Sequence, residues 1–232
     1  MGAPAPESGP RLTPEARSAL EPVIEMLSRE SSSPSSVTDP ALAWSVHVAD
    51  SLSGLEFDEL ASAGAICDVG SGAGFPGLVL AAMLPAARVD LVEGTGRKCE
   101  FIERAAAAGG IGNARAVHAR AEDWAVGEGR EAYDAVTARA VGRLSTLAEL
   151  ASPLLRKGGG MLAWKGRRDP DEEAELARAA SELAVEVGEV RWVGPYAGSR
   201  NRHLHLIRKV GPTPAGLPRR AGMAKKRPRG SI

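Results

Sequence analysis

Sulfur and aromatic side chains are scarce in this chain, and each scarcity excludes something. Only two of the 232 residues are cysteine, Cys67 and Cys99. They fall in a predicted strand and a predicted helix. That suits small core residues in a reducing compartment and argues against a disulfide framework or a cysteine metal site. Aromatics make up 4 % of the sequence, so base-stacking surfaces are confined to a few positions. No apolar run reaches the ~18 residues that a membrane-spanning helix needs. The first ten residues carry no hydrophobic signal region, and Pro6 breaks the myristoylation pattern. A cytoplasmic protein with no membrane contact is expected.

Net charge is zero only as a sum. The segment Ser199 to Ile232 holds ten of the 29 Lys and Arg residues and none of the 29 Asp and Glu residues, so the first 198 residues carry a net of −10. An acidic body with a basic C-terminal strip suggests one place for a polyanion, although a solvated tail has the same composition. Residues 211–232 are rich in Pro, Gly, Lys and Arg without a hydrophobic period. They are expected to add little to the core, and alanine at their cations to leave the melting temperature unchanged.

What is present centres on Ile66-Cys67-Asp68-Val69-Gly70-Ser71-Gly72-Ala73-Gly74-Phe75-Pro76-Gly77. A short apolar run ending in Asp68 reads as a buried parallel strand. Glycines alternate at 70, 72 and 74, Pro76 suits the first helical position, and Leu78 to Leu84 supplies an apolar helix closed by Pro85. Such a turn lets backbone amides approach a ligand, though it equally suits a purely geometric strand–helix connection.

Around it the chain reads as follows. A Pro/Gly/Ser-rich leader, residues 1–12, is expected to be disordered. Thr13-Pro14-Glu15 caps a first helix, and Ser31 to Ser36 is a linker. Asp39-Pro40 starts a second helix to about Leu55 with Trp44, His47, Val48 and Ser51 near one face. Residues 13–60 thus form an N-terminal helical cap. Residues 61–210 alternate strands and helices. The further strands are Arg88–Val92 ending in Glu93, Ala114–His118, Tyr133–Ala138 ending at Arg139, Met161–Trp164 before Lys165, Val185–Val193 and His203–Val210. The helices are Arg97–Ala108, Ser145–Leu155 and Asp171–Ala184. The expectation is an α/β fold, a Rossmann-like, seven-stranded, mostly parallel sheet with helices on both faces and an antiparallel last strand.

Ligands in such sheets bind beyond the carboxyl ends of the strands. The candidates there are Asp68, Glu93, Glu122, Arg139 and Lys165. Glu93 lies about twenty residues past the glycine turn, where a carboxylate accepts from ribose hydroxyls. Glu122 follows the third strand and suits the side of an adenine ring. Gly72-x-Gly74-x-x-Gly77 also matches the dinucleotide pattern, which keeps a dehydrogenase open. Against it, an acid two residues before the first glycine suits a cationic amino-acid end rather than a pyrophosphate, and neither Tyr133 nor Tyr196 has a Lys four residues on. A non-catalytic RNA-binding protein with a nucleotide pocket is the other alternative. His203-x-His205 puts two rings on one side of a strand, but no third ligand accompanies them, and no metal is expected. Trp124, Trp164 and Trp192 suit either a stacked base or the core.

The segment from Asp68 to Leu78 resembles the first motif of the small-subunit ribosomal RNA methyltransferase G family. Further similar segments are Ser36-Val37-Thr38-Asp39-Pro40 with His47-x-x-Asp50-Ser51, Ala138-Arg139-Ala140, Trp164-Lys165-Gly166, Arg202-His203-Leu204, and the tail from Pro218 to Lys226. Val46 and Gly94 depart from it, standing where relatives usually carry an Arg and a larger residue. The resemblance implies S-adenosylmethionine as methyl donor and N7 of one guanine in 16S ribosomal RNA as acceptor. The partner would be that RNA or the small ribosomal subunit, and the protein a monomer. It implies cofactor contacts at Gly70, Phe75, Ala121, Glu122 and Arg139, with Glu93 on the ribose. Asp68, Gly72, Gly74, Gly94 and Thr95 complete the expected cofactor set. Arg120, Arg139 and Arg202 correspond to basic positions associated with activity, and Lys165 is counted with them. RNA contacts are expected from His47, Arg202, Arg219, Arg220, Lys225 and Lys226. Guanine N7 already presents a lone pair, so transfer there needs placement and exclusion of water but no general base.

Overall fold

A computed structural model of the chain describes residues 9–30, 35, 37, 39–139 and 142–231. Most of the expected leader and of the Ser31–Ser36 linker, with Ser36, Thr38 and Ala140 of the motifs above, lies outside the described residues.

Seven strands form one sheet: β1 (Ala65–Val69), β2 (Arg88–Glu93), β3 (Ala114–His118), β4 (Tyr133–Arg139), β5 (Leu155–Lys165), β6 (Val185–Trp192) and β7 (His203–Lys209). Their order is β3-β2-β1-β4-β5-β7-β6. The pairs β1–β2, β1–β4, β2–β3 and β4–β5 are parallel, and β7 runs antiparallel to both β5 and β6. Strands β1, β2 and β3 step outward on one side, and β4, β5, β7 and β6 on the other. The β1/β4 junction is therefore the topological switch point, where a crevice opens at the strand ends.

Two helix layers cover the sheet because β1 alternates its side chains. Ile66 faces a cluster with Leu20, Ile24 and Leu27 of α1 (Pro14–Arg29), Leu78 and Leu80 of α5 (Gly77–Met83), and Phe101 and Ile102 of α6 (Gly96–Ala108). Cys67 and Val69 face the other, with Ala121 of α7 (Ala121–Trp124), Leu147 of α8 (Leu144–Ala151) and Leu176 of α9 (Pro170–Ala179). Helix α1 starts as its sequence dictates: Thr13 accepts from the Ala16 N–H at 3.1 Å, and Pro14 occupies the first turn. Asp39 caps α2 (Pro40–Ala43) through the Leu42 N–H at 2.8 Å. The second helix is less regular than expected. It passes through a π-type turn at Trp44–Ala49, a short α3 (Asp50–Leu52) and a 3₁₀ turn at Ser53–Glu56; α4 (Asp58–Ala61) then leads into β1.

Some boundaries moved. Helix α8 ends at Ala151, four residues short of the expected Leu155, because Leu155 already pairs with Tyr133. The register then shifts so that Ala135 opposes Gly160, and the glycine triplet sits inside β5 as an excursion. Helix α9 begins at Pro170, capped by Asp169, and ends at Ala179. Pro76 is the cap of α5 rather than its first residue.

The largest correction concerns residues 211–232. Leu217 and Ala224 are buried against the body, and the Lys209 ammonium at its base donates to Glu131, to Thr213 and to the carbonyls of Ser152 and Leu155. The Arg219 guanidinium grips the buried Glu149 carboxylate with two hydrogen bonds, at 2.5 and 2.6 Å, and donates to the Arg227 carbonyl. Arg229 pairs with Glu182. The extension is thus strapped to α8, and cations inside the strap cannot all be free. Replacing Arg219 by Ala leaves Glu149, 2 % exposed, without its principal partner. That should destabilise the fold by roughly 2 kcal/mol, a fall of several degrees in Tm. The exposed Lys225 and Lys226 should be neutral within about 0.5 kcal/mol on the same substitution. Differential scanning calorimetry decides; equal melting temperatures for Arg219→Ala and Lys225→Ala would show the strap to be idle.

Candidate active site

The glycine turn leaves β1 at the switch point, pinned from below. Asp68 is fully buried; its carboxylate accepts from the Gly77 N–H at 3.1 Å and the Thr137 hydroxyl at 2.8 Å. Burial raises its pKa, opposed by the bonds from Thr137, Ser71 and Gly77. This corrects the expectation that Asp68 meets the amino-acid end of a cofactor: both oxygens face inward and fix the turn. Gly74 is likewise a packing position, since a Cβ there would fall 2.6 Å from Leu78 Cδ1, at φ +90°. Gly72 differs. Its φ is +60°, yet a Cβ would meet only the Gly70 carbonyl at 3.9 Å, so it would project into open space beside the turn.

That space is a cavity of about 470 Å³. The turn from Gly70 to Ala73 with Phe75 forms one wall, Val46, His47 and Asp50 a second, and the strand-end residues Arg139, Trp164, Lys165 and Gly166 with Arg202 the rest. Arg139, at the end of β4, reaches across to the N-terminal helices. It donates to the Val46 carbonyl at 3.1 Å and Asp50 Oδ2 at 3.2 Å, and its other amino group lies 3.0 Å from His47 Nδ1. The His47 ring stacks on Phe75, centroids 4.6 Å apart and 9° from parallel, with Nε2 2.9 Å from the Ser35 hydroxyl. Burial, helped by the Arg139 charge, lowers the His47 pKa to about 4. The neutral ring accepts from Arg139 at Nδ1 and donates to Ser35. His47 was expected to contact RNA; instead it is buried with both nitrogens engaged, and its place is to hold Arg139.

Lys165 donates to Glu172 and the Gly142 carbonyl. Trp164 is core: it donates to the Asp50 carbonyl at 2.9 Å. Trp124 donates to Tyr133 Oη, while Trp192 is exposed. Arg202 lies against Tyr196, with Nε 3.8 Å from Asp50 Oδ1. His203 and His205 bond to Gly166 and Glu173, and no group of three metal-ligating side chains occurs among the described residues.

The second group of expected residues sits beyond the ends of β2 and β3, on the other side of the turn. Glu93 accepts from the Gly72 N–H at 3.1 Å and the Thr95 N–H at 2.9 Å, tying the turn to β2. Exposed Thr95 precedes α6. A Cβ on Gly94 would lie 3.0 Å from Arg120 Cδ, so the small residue makes room for that arginine, which caps α7. Ala121 and Glu122 are buried there, and Glu122 accepts from the Gly222 N–H at 2.7 Å, a contact from the C-terminal strap. Arg219 faces inward, as above, whereas Arg220, Lys225 and Lys226 are exposed. Asp50 was quoted in a motif but not assigned to the site; its place one helical turn after His47 was the available signal.

A switch-point cavity beside an acid-pinned glycine turn, in this strand order, defines the class I methyltransferase fold. The Methanococcus jannaschii fibrillarin pre-rRNA processing protein superposes with TM-score 0.51 at 16 % identity, covering 64 % of this chain and 67 % of that one. A geranyl diphosphate methyltransferase solved in complex with SAM gives TM-score 0.50 at 15 % identity over 63 % of this chain and 78 % of its own. Sequence narrows the class. The family model described as rRNA small subunit methyltransferase G matches residues 31–204. Proteins named ribosomal RNA small subunit methyltransferase G from Desulfitobacterium hafniense (strain Y51) and Thermotoga neapolitana are each 38 % identical. The first match covers 83 % of this chain and 80 % of that relative, the second 91 % and 92 %. The chain belongs to the rRNA small subunit methyltransferase G family, whose methyl donor is S-adenosylmethionine, and the dehydrogenase alternative is set aside. No helix among the described residues is long and apolar enough to cross a membrane.

The residues present fit that cofactor. A Cβ at Gly72 would project into the space beside the turn, and Glu93, on the turn's other side, keeps lone pairs beyond its two backbone bonds.

The His47 ring makes this region pH-sensitive. It titrates at about 4 when folded against 6.5 as a free side chain. The unfolded chain therefore binds the extra proton first; the contribution is full above about pH 6.5 and is lost as pH falls toward 4. Going from pH 7 to 5 should cost about 2 kcal/mol through this ring. Urea unfolding of wild type and His47→Asn, which keeps an acceptor for Arg139 but cannot titrate, isolates that difference. Identical pH dependence would contradict the assignment.

Proposed function

We propose that this protein transfers a methyl group to N7 of one guanine in 16S ribosomal RNA, within the small ribosomal subunit or its precursor, by direct attack without a general base. The observation that carries the reading is the electrostatic character of the cavity. Arg139, Lys165 and Arg202 line it, and the imidazole on its wall, His47, is a poor base, with a pKa near 4 and Nδ1 turned to Arg139. A reaction that had to remove a proton before the bond formed would depend on the Asp50 carboxylate, one oxygen of which is already held by Arg139. Guanine N7 needs no proton acceptor, because its lone pair is already available.

Bound S-adenosylmethionine supplies an electrophilic methyl carried on a sulfonium. Gly70, Gly72 and Phe75 border the space for its reactive end, and Glu93, Thr95, Ala121 and Glu122 suit the nucleoside end. Arg139 stays fixed by His47, Asp50 and Val46, so it can orient a base without reorganising during transfer. Any cation meeting the guanine must contact O6 and leave N7 free. Arg220, Lys225 and Lys226 on the strap's outer side supply sequence-independent attraction for phosphates. The relatives' names, ribosomal RNA small subunit methyltransferase G, support the choice of RNA.

Unmodified small subunits incubated with the protein and labelled S-adenosylmethionine test the reading. Borohydride reduction and aniline treatment cleave RNA at N7-methylguanosine, and scission at one guanine is expected. Label incorporated without scission would place the methyl on an amine or a ribose and contradict the proposal.

A further inference from the structure

Two buried polar atoms beside the cavity have no hydrogen-bond partner among the described residues: Asp50 Oδ1 and Arg202 Nε. They stand 3.8 Å apart, in ion-pair range but beyond hydrogen-bond reach of each other. The Asp50 side chain is only 6 % exposed. Its other oxygen is committed to Arg139, and its backbone carbonyl to Trp164. Oδ1 is therefore a fixed acceptor on a rigid wall. On its far side Arg202 donates to the Tyr196 hydroxyl at 3.3 Å. Buried valences left unmade are costly, so the pair is set to be completed by a ligand that presents an acceptor next to a donor.

We propose that Asp50 and Arg202 read the O6/N1–H edge of the target guanine, with Arg202 donating to O6 and Asp50 Oδ1 accepting from N1–H. The inference rests on the function proposed above and names the residues that choose the base. Guanine presents an acceptor and a donor on adjacent atoms of that edge, matching donor Arg202 and acceptor Asp50. Adenine reverses the two, which sets donor against donor and acceptor against acceptor. Both contacts leave N7 free. The cofactor's amino-acid end is the rival occupant, its ammonium matching Asp50 and its carboxylate matching Arg202, and the calorimetric arm of the test separates it from the guanine edge.

The test uses the intact protein and reconstituted subunits carrying guanosine, inosine or adenosine at the modified position. Inosine keeps O6 and N1–H and lacks only the 2-amino group. The wild type should accept inosine within about threefold of guanosine in kcat/KM and reject adenosine by roughly a hundredfold or more. In Asp50→Asn, whose amide places a donor at the Oδ1 position while its oxygen still serves Arg139, the guanosine-to-adenosine preference should shrink at least tenfold. Its S-adenosylmethionine affinity by calorimetry should stay within about threefold. A purely structural loss through Arg139 would lower all three substrates together and leave the preference unmoved, which would overturn the assignment. So would inosine rejected as strongly as adenosine, or weakened cofactor binding with unchanged base preference. Failure of the wild type on guanosine subunits would instead overturn the underlying reading, and this inference with it.

Discussion

The Arg139 guanidinium joins the sheet to the N-terminal helices at the edge of the cavity. It belongs to the end of β4, yet its partners are the Val46 carbonyl, Asp50 and His47, all on the N-terminal helices. A charge this far from water is tolerable only when paired and hydrogen-bonded, and removing one partner leaves the other uncompensated. Each of its neighbours is secured in turn. His47 lies on Phe75, which belongs to the glycine turn, and the Asp50 carbonyl takes the Trp164 N–H from β5. Helical cap, turn and sheet thus close on one another around a single cation, and the cavity is what remains between them.

The turn needs its own anchor, and Asp68 provides it. Residues at alternate positive-φ glycines would be free to move without a fixed point, and the buried carboxylate supplies one through Gly77 and Thr137. Glu93 ties the same turn to β2 through the Gly72 N–H. Two acids at successive strand ends therefore have different tasks. Asp68 holds the loop through Gly77 and Thr137, and Glu93 holds it through Gly72.

Local features were legible in the sequence because their causes are local. Thr13 and Asp39 capped the helices that follow them, the glycine turn fell between a strand and a helix, and all seven strands were found near their observed positions. The antiparallel last strand followed from the missing crossover helix. What was not legible depended on pairs distant along the chain. Asp50 and Arg139 are 89 residues apart and Arg219 and Glu149 are 70, so neither spacing nor periodicity reveals them. The basic tail read as a polyanion-docking strip that adds little to the core, because its charges were counted without the buried Glu149 that pairs with Arg219. His47 was expected at the RNA because its contacts with Arg139 and Phe75 are distant along the chain. The π-type turn at Trp44–Ala49, which lies beneath His47, has no composition signal at all.

The account stands on Arg139 acting at the chemistry rather than only in assembly of the cap. Single-turnover methyl transfer by Arg139→Ala, with cofactor and small subunits both saturating, tests this most directly. A rate constant lowered by roughly a hundredfold or more, with RNA affinity within about threefold of wild type, is the predicted result. A wild-type rate at saturation would contradict it, and would reduce Arg139 to a brace for the N-terminal helices.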